Sequence, residues 1–307
     1  MEHLRQQTED FSRVWFQKRA LAGLKRIGSR EVDYSDPLLM YMPGEDDKYD
    51  TAQETDTPYH RLVTAPERVY LARIADRIVA ELPDEFEYID LGPGTEHKEQ
   101  FIFDAAKRAG KKFTYRPVDI SEQYLKRAAE HASGQGIDVQ PLRSSFEGLT
   151  HGLKGGALPR FVSLGLTYSN SNPDEVLSLL KEIAGKDGSV FINAQMRERT
   201  DIPALQEIYK GVAELMTAEK LRLIGLDPVE DIEAQEVTDE VKVWVTLKRS
   251  TPTLESMGIR AGDRLLVFQS LRPTKPELEA ALTGSFKEYR LFDTAEPFIG
   301  ALLKSGD

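Results

Sequence analysis

Between residues 66 and 223 short apolar runs alternate with segments of helical spacing, and that alternation restricts the fold more than any other feature of the chain. The runs predict strands over 88–91, 113–119, 138–142, 160–166 and 189–194, with helices near 66–81, 97–109, 121–133, 173–184 and 202–223. A strand followed by a helix and another strand closes a parallel βαβ unit with a right-handed crossover. The expectation is therefore an α/β chain whose mostly parallel sheet carries helices on both faces.

Chemistry enters at the end of the first of these strands, in Asp90-Leu91-Gly92-Pro93-Gly94-Thr95. Glycines between a buried strand and a helix let the backbone approach a ligand, and the helix start offers unpaired N–H groups. A dinucleotide fingerprint, GxGxxG, would place a third glycine at position 97, which is His97. The shortened pattern suits a cofactor without a pyrophosphate, such as S-adenosylmethionine. Asp119 ends the next strand, where a carboxylate can accept from both ribose hydroxyls or, alternatively, serve only as a cap for the helix from Ser121. After the third strand, Arg143-Ser144-Ser145-Phe146 offers a polar side chain and a ring suited to an adenine.

The flanks are different. Residues 1–28 read as a helix marked by Leu4, Phe11, Trp15, Leu21 and Leu24, with Gly28 as its stop. Between Phe11 and Arg30 it has six basic residues and no acidic one, a docking helix or a membrane-surface segment. Residues 31–58 read as an acidic loop, and 227–240 as an acidic stretch before strands at 241–247 and 264–269. A short helix is expected over 275–282, and the segments 286–292 and 298–303 as a terminal hairpin, the second being helical by propensity alone. This gives 1–60 as an N-terminal helix and lid, 61–195 as the cofactor core, 196–284 as a substrate lobe, and 285–307 as the hairpin completing the core sheet.

Composition excludes several classes. With no cysteine, disulfides, thiolate nucleophiles and Cys-ligated zinc are absent, and none of the five histidines has HxH or HExxH spacing, so no metal is expected. A net charge of −11 argues against nucleic acid as the main partner. No apolar run has transmembrane length and the start lacks a secretory signal, so the expectation is a cytoplasmic protein acting on a small molecule.

Taken together, three segments resemble the histidine-specific methyltransferase family, which trimethylates the α-amine of histidine in ergothioneine biosynthesis. Leu91-Gly92-Pro93-Gly94-Thr95-Glu96-His97-Lys98 looks like its LGSGTxxK, and Tyr115-Arg116-Pro117-Val118-Asp119-Ile120-Ser121 like its YxPxDxS. Phe161-Val162-Ser163-Leu164-Gly165-Leu166-Thr167-Tyr168-Ser169-Asn170 is similar to its FLGxTxGN. The resemblance implies a Rossmann-like class I methyltransferase sheet with a smaller α+β substrate lobe, and S-adenosylmethionine held by Gly92, Gly94, Thr95, Lys98, Asp119, Ser145, Phe146 and Thr167. It implies Asn170 and Tyr209 as catalytic residues that orient the acceptor amine, with Thr274 beside the substrate; Tyr59, just before the helix at 66, either lines the lid as a substrate contact or serves in packing. The chain departs from the family at Ser145, where an acid is expected. It departs again over 268–276, which lacks the glutamate that would grip an imidazole. Histidine is accordingly expected to be a poor acceptor, and a small amine-bearing or heteroaromatic metabolite the better one. The competing readings are a catalytically silent cofactor-binding or accessory protein and an NAD-dependent oxidoreductase, the latter disfavoured by His97.

Overall fold

The structure is a computed structural model that describes residues 9–42, 50–51, 57–153 and 157–306. The chain opens with α1 (Arg13–Gly23), β1 (Lys25–Arg26) and β2 (Glu31–Asp33). There follow α2 (Ala65–Ala80), β3 (Glu85–Leu91), α3 (Gln100–Arg108), β4 (Lys112–Asp119), α4 (Glu122–Ser133), β5 (Asp138–Val139) and β6 (Leu142–Arg143). Next come α5 (Phe146–Gly152), β7 (Arg160–Leu164), α6 (Pro173–Ala184), β8 (Ser189–Gln195), α7 (Ile202–Leu223), β9 (Ile232–Val237) and β10 (Lys242–Leu247). The last elements are α8 (Pro252–Ser256), β11 (Arg264–Gln269), α9 (Lys275–Ser285), β12 (Glu288–Asp293) and β13 (Phe298–Lys304). Two compact units emerge, one from Met1–Glu54 and Asp201–Leu271, the other from Thr55–Thr200 and Arg272–Asp307.

The larger unit is built on a sheet of order β12-β13-β8-β7-β3-β4-β5, with β6 also pairing to β4. Strands β3 to β8 run parallel, and β13 lies antiparallel between β8 and β12. Alternation along each strand divides two cores by chemistry. Ile89, Leu91, Val162, Leu164, Val190 and Ile192 face an aliphatic core closed by α6 and α9. Phe86, Tyr88, Phe161 and Phe191 face an aromatic core closed by α2, α3 and α4. Burying each such side chain contributes about 1.5–3 kcal/mol, which fixes the strand register because a one-residue slip would exchange the two faces.

The smaller unit carries a five-stranded sheet of order β1-β2-β11-β10-β9. β2 pairs parallel with β11, and the remaining pairs are antiparallel. Leu205, Tyr209, Met216 and Leu221 of α7 are buried, as the 3.6-residue period requires. At its far end Lys220, fully buried, donates to the Asp36 and Val267 carbonyls, both at 2.9 Å.

Several elements differ from the sequence expectation. The helix expected over 1–28 is α1, capped by Ser12 and ended where the chain turns into the β1–β2 hairpin; residues 1–8 lie outside the described residues. The loop expected over 31–58 contains β2 and a turn at Pro37–Met40, with 43–49 and 52–56 outside the described residues. The strand expected over 138–142 is split into β5 and β6 around Pro141, which has no N–H to give to a ladder. The strand expected over 160–166 ends at Leu164, because Gly165 starts a tight turn at Leu166–Asn170. The acidic stretch contains the edge strand β9, whose exposed face leaves no apolar alternation to read. Helix α9, expected in the lobe of 196–284, sits in the larger unit because Leu278 and Leu282 join the aliphatic core.

Candidate cofactor and active site

The chain leaves β3 toward β4 on one side of the sheet and β7 toward β8 on the other, although β3 and β7 are neighbours. Such a reversal opens a crevice at the carboxyl ends of the two strands, the usual ligand position in an open α/β sheet. Gly92 and Gly94 follow β3 with φ of 66° and 63°, a region that strains any L side chain. A Cβ on Gly92 would lie 3.6 Å from Phe146 Cζ and 3.9 Å from Thr167 Oγ1. The glycine turn, the start of α5 and the turn after β7 therefore meet at one point. Thr95 is half-buried in the same loop.

At the end of β4, the Asp119 carboxylate accepts from the Ser121 amide at 2.8 Å, and Ser121 in turn caps α4. The backbone carbonyl of Asp119 accepts from Ser144 N at 3.1 Å, tying it to the turn after β6. Ser145 uses its hydroxyl to cap α5, accepting from Gly148 N at 3.0 Å. The segment expected as a simple turn is thus the start of a helix, and that start aims Phe146 at Gly92.

Beneath the glycine turn, Asp90 accepts from Ser163 Oγ at 2.7 Å and from Tyr115 OH at 2.8 Å. Burial, with repulsion from Glu99, pushes its carboxyl up to about 6, against the pull of those hydrogen bonds and of Lys98. Lys98 donates to Glu67 at 3.0 Å and lies 3.9 Å from Glu96. Burial works against its charge, but Glu67 and Glu96 outweigh burial and hold the ammonium above the ordinary lysine range. Glu67 also accepts from Asn193 Nδ2 at 2.8 Å. Neither Glu67 nor Asn193 is singled out by the sequence, while Tyr115 and Ser163 appear there only as members of the family-like segments. The one available signal was a polar Asn193 inside the apolar run Val190-Phe191-Ile192-Asn193-Ala194.

His97, with φ of 48°, lies 3.2 Å from Glu99, and its ring stacks on His131 at 4.0 Å. Glu99 and the two imidazoles, whose ligand atoms lie within 4.8 Å of one another, form a polar cluster at the start of α3.

Among the remaining residues, Tyr59 is half-buried just before the helical turn His60–Thr64 that leads into α2. Thr274 caps α9 in a reciprocal capping box with Glu277. Tyr209, in the smaller unit, donates to Ser270 Oγ at 3.1 Å and stacks on Phe268 at 5.4 Å. After β7, Asn170 is 8% exposed and its side-chain amide meets no hydrogen-bond partner among the described residues. Of the two, its neighbour Ser169 is the one whose polar atom is closed off from solvent without a partner among the described residues. Buried polar groups without partners cost about 1–3 kcal/mol each and commonly mark where a ligand supplies the missing bond. A left-handed glycine turn beside an aromatic ring, a strand-end carboxylate and a lysine ammonium together fit a nucleoside cofactor with an amino-acid tail.

Comparison with known proteins agrees. The model of the histidine-specific, S-adenosylmethionine-dependent methyltransferase family matches residues 55–218, more than half of the chain. The chain belongs to this family. It is an S-adenosylmethionine-dependent methyltransferase with a Rossmann-like class I fold, and the dinucleotide alternative falls away. No curated protein matches the methyltransferase chain. Similar solved structures include an S-adenosylmethionine-dependent methyltransferase from Clostridium acetobutylicum, 14% identical with TM-score 0.44, covering 85% of this chain and 99% of that one. A Thermotoga maritima protein described as a "possible histamine N-methyltransferase" is 14% identical with TM-score 0.42, covering 84% and 99%. An O-methyltransferase family protein from Burkholderia thailandensis is 13% identical with TM-score 0.43, covering 96% and 83%. Among the described residues of this methyltransferase no helix is long and apolar enough to cross a membrane.

Proposed function

We propose that this methyltransferase transfers a methyl group to nitrogen of a small amine-bearing or heteroaromatic metabolite in the cytoplasm. The observation that carries the reading is Asn170, a nearly buried amide that meets no protein partner among the described residues and lies just past the β7 terminus. Such a group can accept from an amine and turn its lone pair in one direction. The overall charge of −11 favours a small cationic or neutral acceptor over a nucleic acid.

S-adenosylmethionine supplies an electrophilic methyl on a sulfonium that is its own leaving group. The protein's part is orientation and exclusion of water, and orientation alone can account for about 7–11 kcal/mol of a barrier. Asp119 would accept from the ribose hydroxyls, Phe146 would cover the adenine, and Lys98 would meet the amino-acid carboxylate. The missing side chain at Gly92 would let the nucleoside approach the backbone between Phe146 and Thr167. Asn170 would orient the acceptor nitrogen. Tyr209, whose hydroxyl sits on Ser270, is a second acceptor-side group in its own unit.

Histidine itself is proposed as a poor acceptor. The segment 268–276 offers Gln269, Ser270 and Thr274 but no carboxylate, and the Thr274 hydroxyl is engaged in the α9 cap. Losing one charged hydrogen bond to an imidazole lowers selectivity by roughly ten- to a hundredfold. The test incubates the enzyme with labelled cofactor and either histidine or pooled small amines and heteroaromatics, followed by mass spectrometry. Label in a nitrogen of the pool, with histidine barely touched, is the expected result. Efficient conversion of histidine to its trimethyl form would overturn the acceptor reading.

A further inference from the structure

We propose that Glu67 is a positioning residue for cofactor binding, fixing the Lys98 ammonium where the cofactor's amino-acid tail arrives. The inference rests on the reading that Lys98 meets that tail. A lysine head rides on a flexible four-carbon stem, and left to itself it samples many rotamers. Here it is held. Glu67, 1% exposed in the first turn of α2, splits its two oxygens between partners: Oε2 accepts from Lys98 Nζ at 3.0 Å and Oε1 from Asn193 Nδ2 at 2.8 Å.

Asn193 is the anchor of the chain. It is 1% exposed in β8, whose seven residues are all buried, and it is paired in register with Gly300 of β13. A carboxylate bonded to so rigid a donor cannot swing away with the lysine. Three separate elements, α2, β8 and the loop before α3, thus converge on one ammonium.

Gly165 shows that the convergence lies at the strand ends. A Cβ there would stand 3.7 Å from Glu67 Oε1, 3.8 Å from Asn193 Oδ1 and 3.9 Å from Lys98 Nζ. The relay therefore gathers around the residue that follows β7, beside the turn carrying Thr167, Ser169 and Asn170. Of the two charges, Glu67 alone is closed off from solvent, while the Lys98 side chain keeps 21% of its exposure. That asymmetry is what a positioning pair needs, with the supporting group sealed and the presenting group reachable.

The test measures calorimetric affinity for two ligands that share the nucleoside and differ in the tail: S-adenosylhomocysteine, and 5′-methylthioadenosine, which lacks the amino acid. Glu67→Gln removes the charge and keeps the shape. It is expected to weaken S-adenosylhomocysteine about tenfold while leaving methylthioadenosine within about twofold of wild type. Lys98→Met is expected to follow the same pattern at least as strongly. Equal weakening of both ligands by Glu67→Gln would show a merely structural role and overturn the proposal. So would an unchanged Glu67→Gln beside a tail-selective loss in Lys98→Met. An unchanged Lys98→Met would instead remove the underlying reading of Lys98. If Glu67→Gln does not fold, Asn193→Ser, which frees the Glu67 carboxylate without neutralising it, should show a smaller tail-selective loss, and its absence would equally overturn the proposal.

Discussion

Lys98, half-buried in the larger unit, and Lys220, fully buried in the smaller, are treated in opposite ways. Lys98, in the larger unit, faces Glu67 and Glu96, and its ammonium is held above the ordinary range. Lys220, in the smaller unit, donates to the carbonyls of Asp36 and Val267 and lies 4.9 Å over the Tyr34 ring. Burial pushes it down to about 7, with Asp36 and Asp33 only partly opposing. A charge matched by an adjacent buried carboxylate persists and can be presented to a ligand. One matched only by dipoles and a ring serves as a clasp, joining α7 to the turn at Pro37–Met40 and to β11, and can be lost without breaking an ion pair.

The comparison is broken most severely by reversing the clasp. Lys220→Glu sets a buried carboxylate against two carbonyl oxygens and should cost about 3–5 kcal/mol, the scale of an uncompensated buried charge. Chemical denaturation followed through Trp244 should register it. A loss under about 1 kcal/mol would mean the site is open to water.

Titration gives a subtler test. The folded pKa of Lys220 lies below its unfolded value of 10.5, so the unfolded chain binds more protons between pH 7 and 10.5. Stability owed to this group must therefore rise as pH increases through that window, and be lowest below the folded pKa. The stability of wild type relative to Lys220→Met should climb from pH 7 to pH 10. A flat difference would show that Lys220 stays charged throughout, as Lys98 does.

How much of this was legible follows from the range of the interactions. The sheet could be read because each βαβ unit spans a few dozen contiguous residues and the two faces alternate locally. The placement of the proposed cofactor residues was legible for the same reason: Asp90, Gly92, Gly94 and Asp119 sit at strand ends whose position in the sequence already gives their position in space. Glu67 and Asn193 were not legible, since their pairing joins α2 to β8 across 126 residues, and no local period carries that information. Nor was the small strand β2, whose parallel partner β11 supplies the register Leu265↔Val32 from the other end of the chain. The capping role of the Thr274 hydroxyl, which accepts from Glu277 N, was not legible either, because a capping threonine and a ligand-binding threonine look alike in a motif.

The smallest of the expected effects bears most directly on the central claim, that the carboxyl ends of β3, β4 and β7 form the seat of S-adenosylmethionine. Calorimetric titration of S-adenosylhomocysteine into wild type and Asp119→Ala measures it. The account predicts micromolar binding to wild type and a loss of roughly 1–3 kcal/mol in the variant, the worth of charge-assisted bonds to the ribose. Affinity unchanged within about twofold would contradict it, and would leave Asp119 as no more than the acceptor for the Ser121 amide.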